Sequence, residues 1–283
     1  MGLPASGSTL STFTASDGDN IAVQDWPLSE GLSLRGVVVL VHGLGEHAGR
    51  YDPLAQQLNA WGFAVRGYDQ YGHGQSGGVR GGLPVDGRLV DDLAEIVDST
   101  RLRTPRDVPL LLLGHSVGGL VAASYVAACP RNVDGLVLSS PALATRLGPV
   151  QRLLLGTLPL VAPQVRVGNG LDPHWLSHDP EVVRAYRDDP LVHDRISARL
   201  ARFIADQGQR VVAQAARWTV PTLLLYAGDD RLVDPAGSHA FSEAASDSVV
   251  TSCCYPAMYH EIFHEPDAQK AYDALARWLD ERY

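Results

Sequence analysis

The chain has 283 residues, 45% of them apolar and 19% charged, enough for one large domain or two ordinary ones around a substantial core. Its apolar runs are no longer than a strand, short of the ~20 residues that span a bilayer, and its composition excludes a disordered polymer. The charge sum, 23 basic against 32 acidic residues, is −9, which argues against electrostatic binding of nucleic acid or of an anionic bilayer. Lys270 is the only lysine, so a phosphate loop ending in Gly-Lys is excluded and Schiff-base chemistry would fall to that one residue. Cys129, Cys253 and Cys254 are too few for a disulfide framework and read as buried thiols in a reducing compartment. The first residues, Met1 to Ser6, lack the basic start and apolar centre of a secretion signal, so a cytoplasmic location is expected.

In chain order, Ser11 to Ala15 and Ile21 to Trp26 flank Asp17-Gly18-Asp19 and predict a hairpin at a sheet edge. Apolar, β-branched runs then alternate with helical patterns. The runs are Val37 to Val41, Phe63 to Tyr68, Val108 to Leu113 and Leu136 to Leu138, and later Thr222 to Tyr226 and Val249 to Cys254. Helices are predicted near Tyr51 to Trp61, Gly87 to Thr100, Gly118 to Cys129, Gly237 to Ala245 and Asp267 to Arg282. This alternation predicts an α/β fold, a mostly parallel central sheet flanked by helices. Residues 143–217 break the rhythm with Pro149, Pro159, Pro163 and Pro173, and read as a helical lid inserted between core segments 1–142 and 218–283. A lid there would cover the sheet's carboxyl edge, where open α/β sheets bind ligands. Within it, Val150 to Val161 carries five leucines, among them Leu154 and Leu158, which fit either the lid's own core or an apolar wall for a substrate.

The strongest chemical signal is Gly114-His115-Ser116-Val117-Gly118, with a predicted strand before it and a helix after it. In such an elbow the middle residue is forced into a strained turn, and the glycines let strand and helix approach while the hydroxyl projects. Ser116 is the candidate nucleophile, the competing reading being a serine that caps a helix. A serine hydroxyl needs a base, and the base needs an orienting carboxylate. Both follow in the expected order: Asp229, Asp230 and Asp234 lie past the strand that starts at Thr222, and His260 and His264 past the one that starts at Val249. The spacing from 230 to 260 suits one helix and one strand, but leaves the choice among the three aspartates open. For the oxyanion, the amide after the nucleophile, Val117, is one donor, and the loop His42-Gly43-Leu44-Gly45 offers the Leu44 amide as the second.

Two motifs point elsewhere. Gly43-Leu44-Gly45-Glu46-His47-Ala48, with Asp69 further on, imitates a dinucleotide fingerprint, yet two strands precede it and it leaves Ser116 and His260 unexplained. His260-Glu261-Ile262-Phe263-His264 matches a zinc-protease string, but Pro266 and the preceding strand oppose a helix that would put both imidazoles on one face. No metal and no cofactor is therefore expected.

With His42 to His47 and Arg50-Tyr51, Asp69 to Ser76, Gly114 to Gly119, Gly228 to Leu232 and Tyr259-His260, the chain resembles the monoacylglycerol lipase branch of the α/β-hydrolase superfamily, close to bacterial monoacylglycerol lipases and lysophospholipases. The resemblance spans nearly the whole chain and extends into the lid at Asp179 to Val183 and Asp189 to Val192. It implies a triad of Ser116, Asp230 and His260, oxyanion amides on Leu44 and Val117, and glycerol contacts from Glu46 and Arg50, the last two fitting a structural ion pair equally well. The chain departs from the family at Phe263, where a glycerol-holding His is found in mammals, and at Gln70, where His is usual. The expected activity is hydrolysis of single-chain lipid esters, above all monoacylglycerols, to fatty acid and alcohol. Lysophospholipase or short-chain esterase activity would use the same triad. A hydrolase-fold binding protein would have lost one of its three members, and none is missing. The leucines of the lid also suggest transient contact with a membrane surface.

Overall fold

A computed structural model of the chain describes residues 7–29, 31–129, 132–146 and 149–283; the side chains of 149–154 lie outside that description, and with them the expected substrate contact of Leu154. The chain opens with β1 (Thr9–Thr14) and β2 (Asn20–Trp26), paired antiparallel across the turn at Asp17 to Asp19. The alternating units follow: β3 (Gly36–Val41), α1 (Asp52–Ala60), β4 (Phe63–Tyr68), α2 (Arg88–Arg101), β5 (Leu110–His115), α3 (Val117–Ala128) and β6 (Gly135–Ser139). Between β6 and the next core strand lie α4 (Pro149–Val161), β7 (Arg166–Gly168), α5 (Pro180–Asp188), β8 (Arg195–Ser197) and α6 (Ala198–Gln214). The fold closes with β9 (Thr222–Ala227), α7 (Ala236–Ala244), β10 (Val250–Tyr255) and α8 (Gln269–Asp280).

The main sheet has eight strands in the order β1-β2-β4-β3-β5-β6-β9-β10, parallel from β4 onward. Its central strands are buried on both faces because alternate residues serve different layers. Val37, Val39, Val41, Leu110, Leu112 and Leu224 join the cluster under α2, α3, α6 and α7, while Val38, Leu40, Leu111, Leu113 and Leu223 face α1 and α8. Each such side chain removed from water contributes about 1.5–3 kcal/mol, and this double-sided burial is why the strands read as unbroken apolar runs.

Small differences from expectation have local causes. β5 begins at Leu110 rather than Val108, since Pro109 has no N–H to give the ladder; its carbonyl instead accepts from the Val37 amide at 2.9 Å. Pro159 lies within the last turn of α4 instead of ending it. The cysteines are not the buried thiols expected: β10 is an edge strand, so Cys254 is exposed and Cys253 half-buried, and Cys129 is exposed beyond α3. The antiparallel pairing of β7 with β8 is a further difference, two three-residue strands too short to announce themselves by alternation. The last helix of the interrupting stretch also turns inward, as Leu200, Phe203, Ile204 and Val211 of α6 pack into the main core.

Candidate active site

The carboxyl ends of β3, β5, β9 and β10 carry the polar residues singled out from sequence. Ser116, between β5 and α3, has φ 55° and ψ −121°, a backbone conformation that costs a non-glycine residue about 1–3 kcal/mol. The turn is held from both sides: the Ser116 amide donates to the Ser139 carbonyl at 2.9 Å, and the Ser116 carbonyl accepts from Ala142 at 2.9 Å. It is made possible by close approach. A Cβ on Gly118 would stand 2.1 Å from the Val41 carbonyl oxygen, and one on Gly114 would stand 2.5 Å from that of Gly118. The neighbouring loop comes equally near, for a Cβ on Gly43 would lie 3.2 Å from the Ser116 Cβ.

His260 follows β10, and its Nδ1 is 2.6 Å from Asp230 Oδ2 in the loop after β9. The other oxygen, Oδ1, accepts from the Leu232 and Val233 amides at 2.9 Å each, and both side chains are buried. Burial pushes the Asp230 carboxyl up, but His260 and the two amides outweigh it and hold the group below its ordinary value. Burial likewise pushes the His260 imidazole down, and Asp230 more than reverses that. With Asp230 on Nδ1, the neutral imidazole keeps its proton there and leaves Nε2 as an acceptor. The competing aspartates have other partners: Asp229 pairs with exposed Arg231 at 2.7 Å, and Asp234 accepts from the Ala236 amide at the start of α7.

Ser116 and His260 border two cavities of unlike size. A cleft of about 570 Å³ runs from them along residues of the 143–217 stretch, with Leu158, Val165 and Ile204 in its walls. A pocket of about 30 Å³ lies on the other side, lined by Glu46, His115, Tyr186 and Glu261 among others. Leu44 borders both, and Val117 the cleft. The Val117 amide begins α3, where a helical N–H has no acceptor within its own helix.

Glu46 and Arg50 are brought together, and two residues overlooked in the sequence join them. Glu46 accepts from the Gly43 amide at 2.5 Å and from the Tyr51 hydroxyl at 2.6 Å, and also pairs with the Arg50 guanidinium. Arg50 forks onto Glu261 at 2.7 and 2.9 Å and lies 4.7 Å from the centre of the Tyr186 ring. Burial pushes both carboxyls up; Arg50 reverses this and leaves both below their usual range. Tyr186, from α5, gives no sequence signal, whereas Glu261 was visible only as a letter in the zinc-like string. His115 is also overlooked: its ring centre is 4.7 Å from that of His260, and burial, aided by His260, pushes it down to about 4.

The rival motifs resolve into structural roles. Asp69 takes the Ala48 amide at 2.9 Å and the Gln75 amide at 2.7 Å, which pins the loop instead of leaving a carboxylate for a ribose. Residues 260–264 form turns, not a helix, and His264 Nδ1 pairs with Glu261 at 2.8 Å while His260 faces Asp230. Gln70 clasps His42 by two hydrogen bonds, and Phe263 packs in the core against Tyr272.

An eight-stranded, mostly parallel sheet with a strained serine elbow at its carboxyl edge defines an α/β-hydrolase. A family model described as serine aminopeptidase, S33, matches residues 33–267, and the chain belongs to that family. It is 39% identical over 248 residues to a monoacylglycerol lipase of Mycolicibacterium smegmatis, covering 87% of this chain and 88% of the relative. Against the monoglyceride lipase of Rattus norvegicus it is 32% identical over 235 residues, 82% of this chain and 77% of that one. The crystal structure of a monoacylglycerol lipase from Paleococcus ferrophilus superposes with a TM-score of 0.82 at 37% identity, covering 89% of this chain and 97% of that one.

Proposed function

We propose that the chain is a serine ester hydrolase that cleaves monoacylglycerols to a fatty acid and glycerol. The observation that carries this reading is the meeting of two cavities of unlike size at Ser116 and His260, a cleft of about 570 Å³ roomy enough for one acyl chain and a small pocket of about 30 Å³ where the Glu46 and Glu261 carboxylates stand ready to receive an alcohol's hydroxyls. The names of the relatives point to the same substrate class.

In this mechanism His260 Nε2 takes the Ser116 proton as Oγ attacks the ester carbonyl, and Asp230 fixes the tautomer and stabilises the imidazolium. The Leu44 and Val117 amides hold the tetrahedral oxyanion. His260 then protonates the departing glycerol oxygen, and a water molecule activated by the same imidazole releases the fatty acid. Residues 143–217 act as the lid, with Leu158 against the acyl chain; each methylene withdrawn from water there is worth about 0.8 kcal/mol. Glu46 and Arg50 shape the alcohol side. The exposed Leu160, Val161, Val165 and Val167 beside the cleft support transient contact with a lipid surface. Among the described residues no helix is long and apolar enough to cross a membrane.

The test is a hydrolysis panel of monoacylglycerols, diacylglycerols, lysophospholipids and short nitrophenyl esters, with fluorophosphonate labelling lost in Ser116→Ala. Faster turnover of acetate esters than of long-chain monoacylglycerols overturns the lipid assignment, and turnover of lysophospholipids above monoacylglycerols reassigns the head group.

A further inference from the structure

The small pocket has an unbalanced charge. Among the described residues that line it, the ionised side chains are two carboxylates, Glu46 and Glu261, and both stay ionised despite their burial because Arg50 bridges them. Arg50 itself does not line the pocket. Its guanidinium lies against the two carboxylates and beside the ring of Tyr186, and it is Tyr186 that borders the space. Counting Glu46, Glu261 and Arg50, two negative charges against one positive leave −1; His264, on Glu261 at 2.8 Å, stands behind that carboxylate and does not line the pocket. Of the other polar groups there, His115 is kept neutral by burial, and His260 is paired with Asp230. Such a charge acts at close range and with little water to screen it.

Resting on the ester-hydrolase reading above, we infer that Glu261 is a specificity-determining residue that makes the alcohol pocket select by charge, accepting neutral and cationic alcohol leaving groups and rejecting anionic ones. Glu46 serves the loop directly, since its carboxylate orients the Gly43–Leu44 peptide through the Gly43 amide. Glu261 has no comparable duty to a backbone amide in the pocket. Its oxygens are taken by Arg50 and by His264 Nδ1, so its presence doubles the negative charge beyond what the loop requires. An ester whose alcohol carries a phosphate or sulfonate close to the reacting oxygen places like charge against this pair, whereas glycerol places only hydroxyl donors there. A quaternary ammonium alcohol meets opposite charge. The enzyme is thereby matched to uncharged monoesters and set against phosphorylated ones of the same chain length.

The test uses the full-length protein and three butyrate esters short enough to make little use of the cleft: 2-hydroxyethyl butyrate, choline butyrate and 2-sulfoethyl butyrate. Each kcat/KM is divided by that ester's own hydroxide-catalysed rate, which removes intrinsic differences in reactivity. In the wild type the corrected values are expected to run choline at or above hydroxyethyl, with sulfoethyl about tenfold lower, the effect of about one unit charge felt nearby in a partly wet site. In Glu261→Gln the absolute rates are free to fall, but the hydroxyethyl to sulfoethyl ratio is expected to shrink about tenfold. Equal corrected rates for all three esters in the wild type overturn the inference, as does an unchanged ratio in the variant. The wild-type comparison stands even if the variant fails to fold. Failure of the lipid assignment would be seen separately, as poor turnover of long-chain monoacylglycerols alongside good turnover of these short esters.

Discussion

The rim formed by the carboxyl ends of β5, β9 and β10 and the stretch 143–217 that shares its cleft are built on opposite plans. At the rim the key polar groups are buried and held: the Ser116 backbone is locked by Ser139 and Ala142, Asp230 takes two amides and an imidazole, and Glu46 and Glu261 share Arg50. The stretch 143–217 exposes Leu160, Val161, Val165 and Val167 to solvent and contributes apolar walls. The two meet through an aromatic stack. Arg231, next to Asp230, sits 5.3 Å from the ring centre of Trp175; Trp175 packs edge-on at 5.1 Å from Tyr259, next to His260; and Tyr259 stacks on His178 at 3.5 Å. On the proposed function this becomes a division of labour, the rim deciding whether an ester is cut and residues 143–217 deciding which ester.

Changes at the rim should therefore strike all substrates alike. Ser116→Ala is expected to lower kcat by about 10⁵- to 10⁶-fold on every ester in the panel, since nucleophile and base act as a unit, while circular dichroism stays native. Asp230→Asn is expected to cost about 10⁴-fold through loss of the correct tautomer. It should also move the acid limb of the pH profile. Asp230 raises the His260 pKa, and a protonated imidazole cannot accept the serine proton, so wild-type kcat/KM falls as pH drops through a value above the ordinary 6.5. Without the carboxylate that fall should come at lower pH. A variant whose acid limb does not move would break the assignment of Asp230 as partner.

Changes in the stretch 143–217 should redistribute activity. Leu158→Ser is expected to lower kcat/KM about tenfold for long-chain monoacylglycerols and less than twofold for butyrates, as several buried methylenes at ~0.8 kcal/mol each lose their wall. An equal loss for both chain lengths would show that the wall serves the chemistry instead. The smallest effect is expected at Leu160→Ser with Val161→Ser, where turnover of soluble esters should change less than twofold while flotation with phosphatidylcholine vesicles weakens. Unchanged flotation would remove this edge from the lipid-contact surface.

The legibility of the sequence followed the same division. The elbow could be read because strain of this kind needs glycines at fixed positions beside a strand and a helix, and the double-sided core could be read because it demands unbroken apolar strands. Spacing alone left Asp229, Asp230 and Asp234 equal; burial and two amide donors distinguish Asp230, and these are long-range facts. Arg50 and Glu261 stand 211 positions apart, so no local pattern announces that one braces the other. The stretch 143–217 is legible as an interruption but not as a shape, since its small sheet pairs two three-residue strands separated by α5.

The backbone of this stretch also takes part in the base loop, where the carbonyls of Trp175 and Leu176 accept from the amides of His260 and Glu261 at 3.4 and 2.8 Å. Lifting that margin would strip the His260 loop of its backbone anchors, so if residues 143–217 serve as the proposed lid, their opening is expected to be lopsided, fixed beside the histidine and looser toward Val165 and Val167. A long acyl tail would then thread in from the far flank while the proton-transfer geometry stays still. Amide hydrogen exchange is the natural gauge of this, slow at 260 and 261 and faster along the opposite margin.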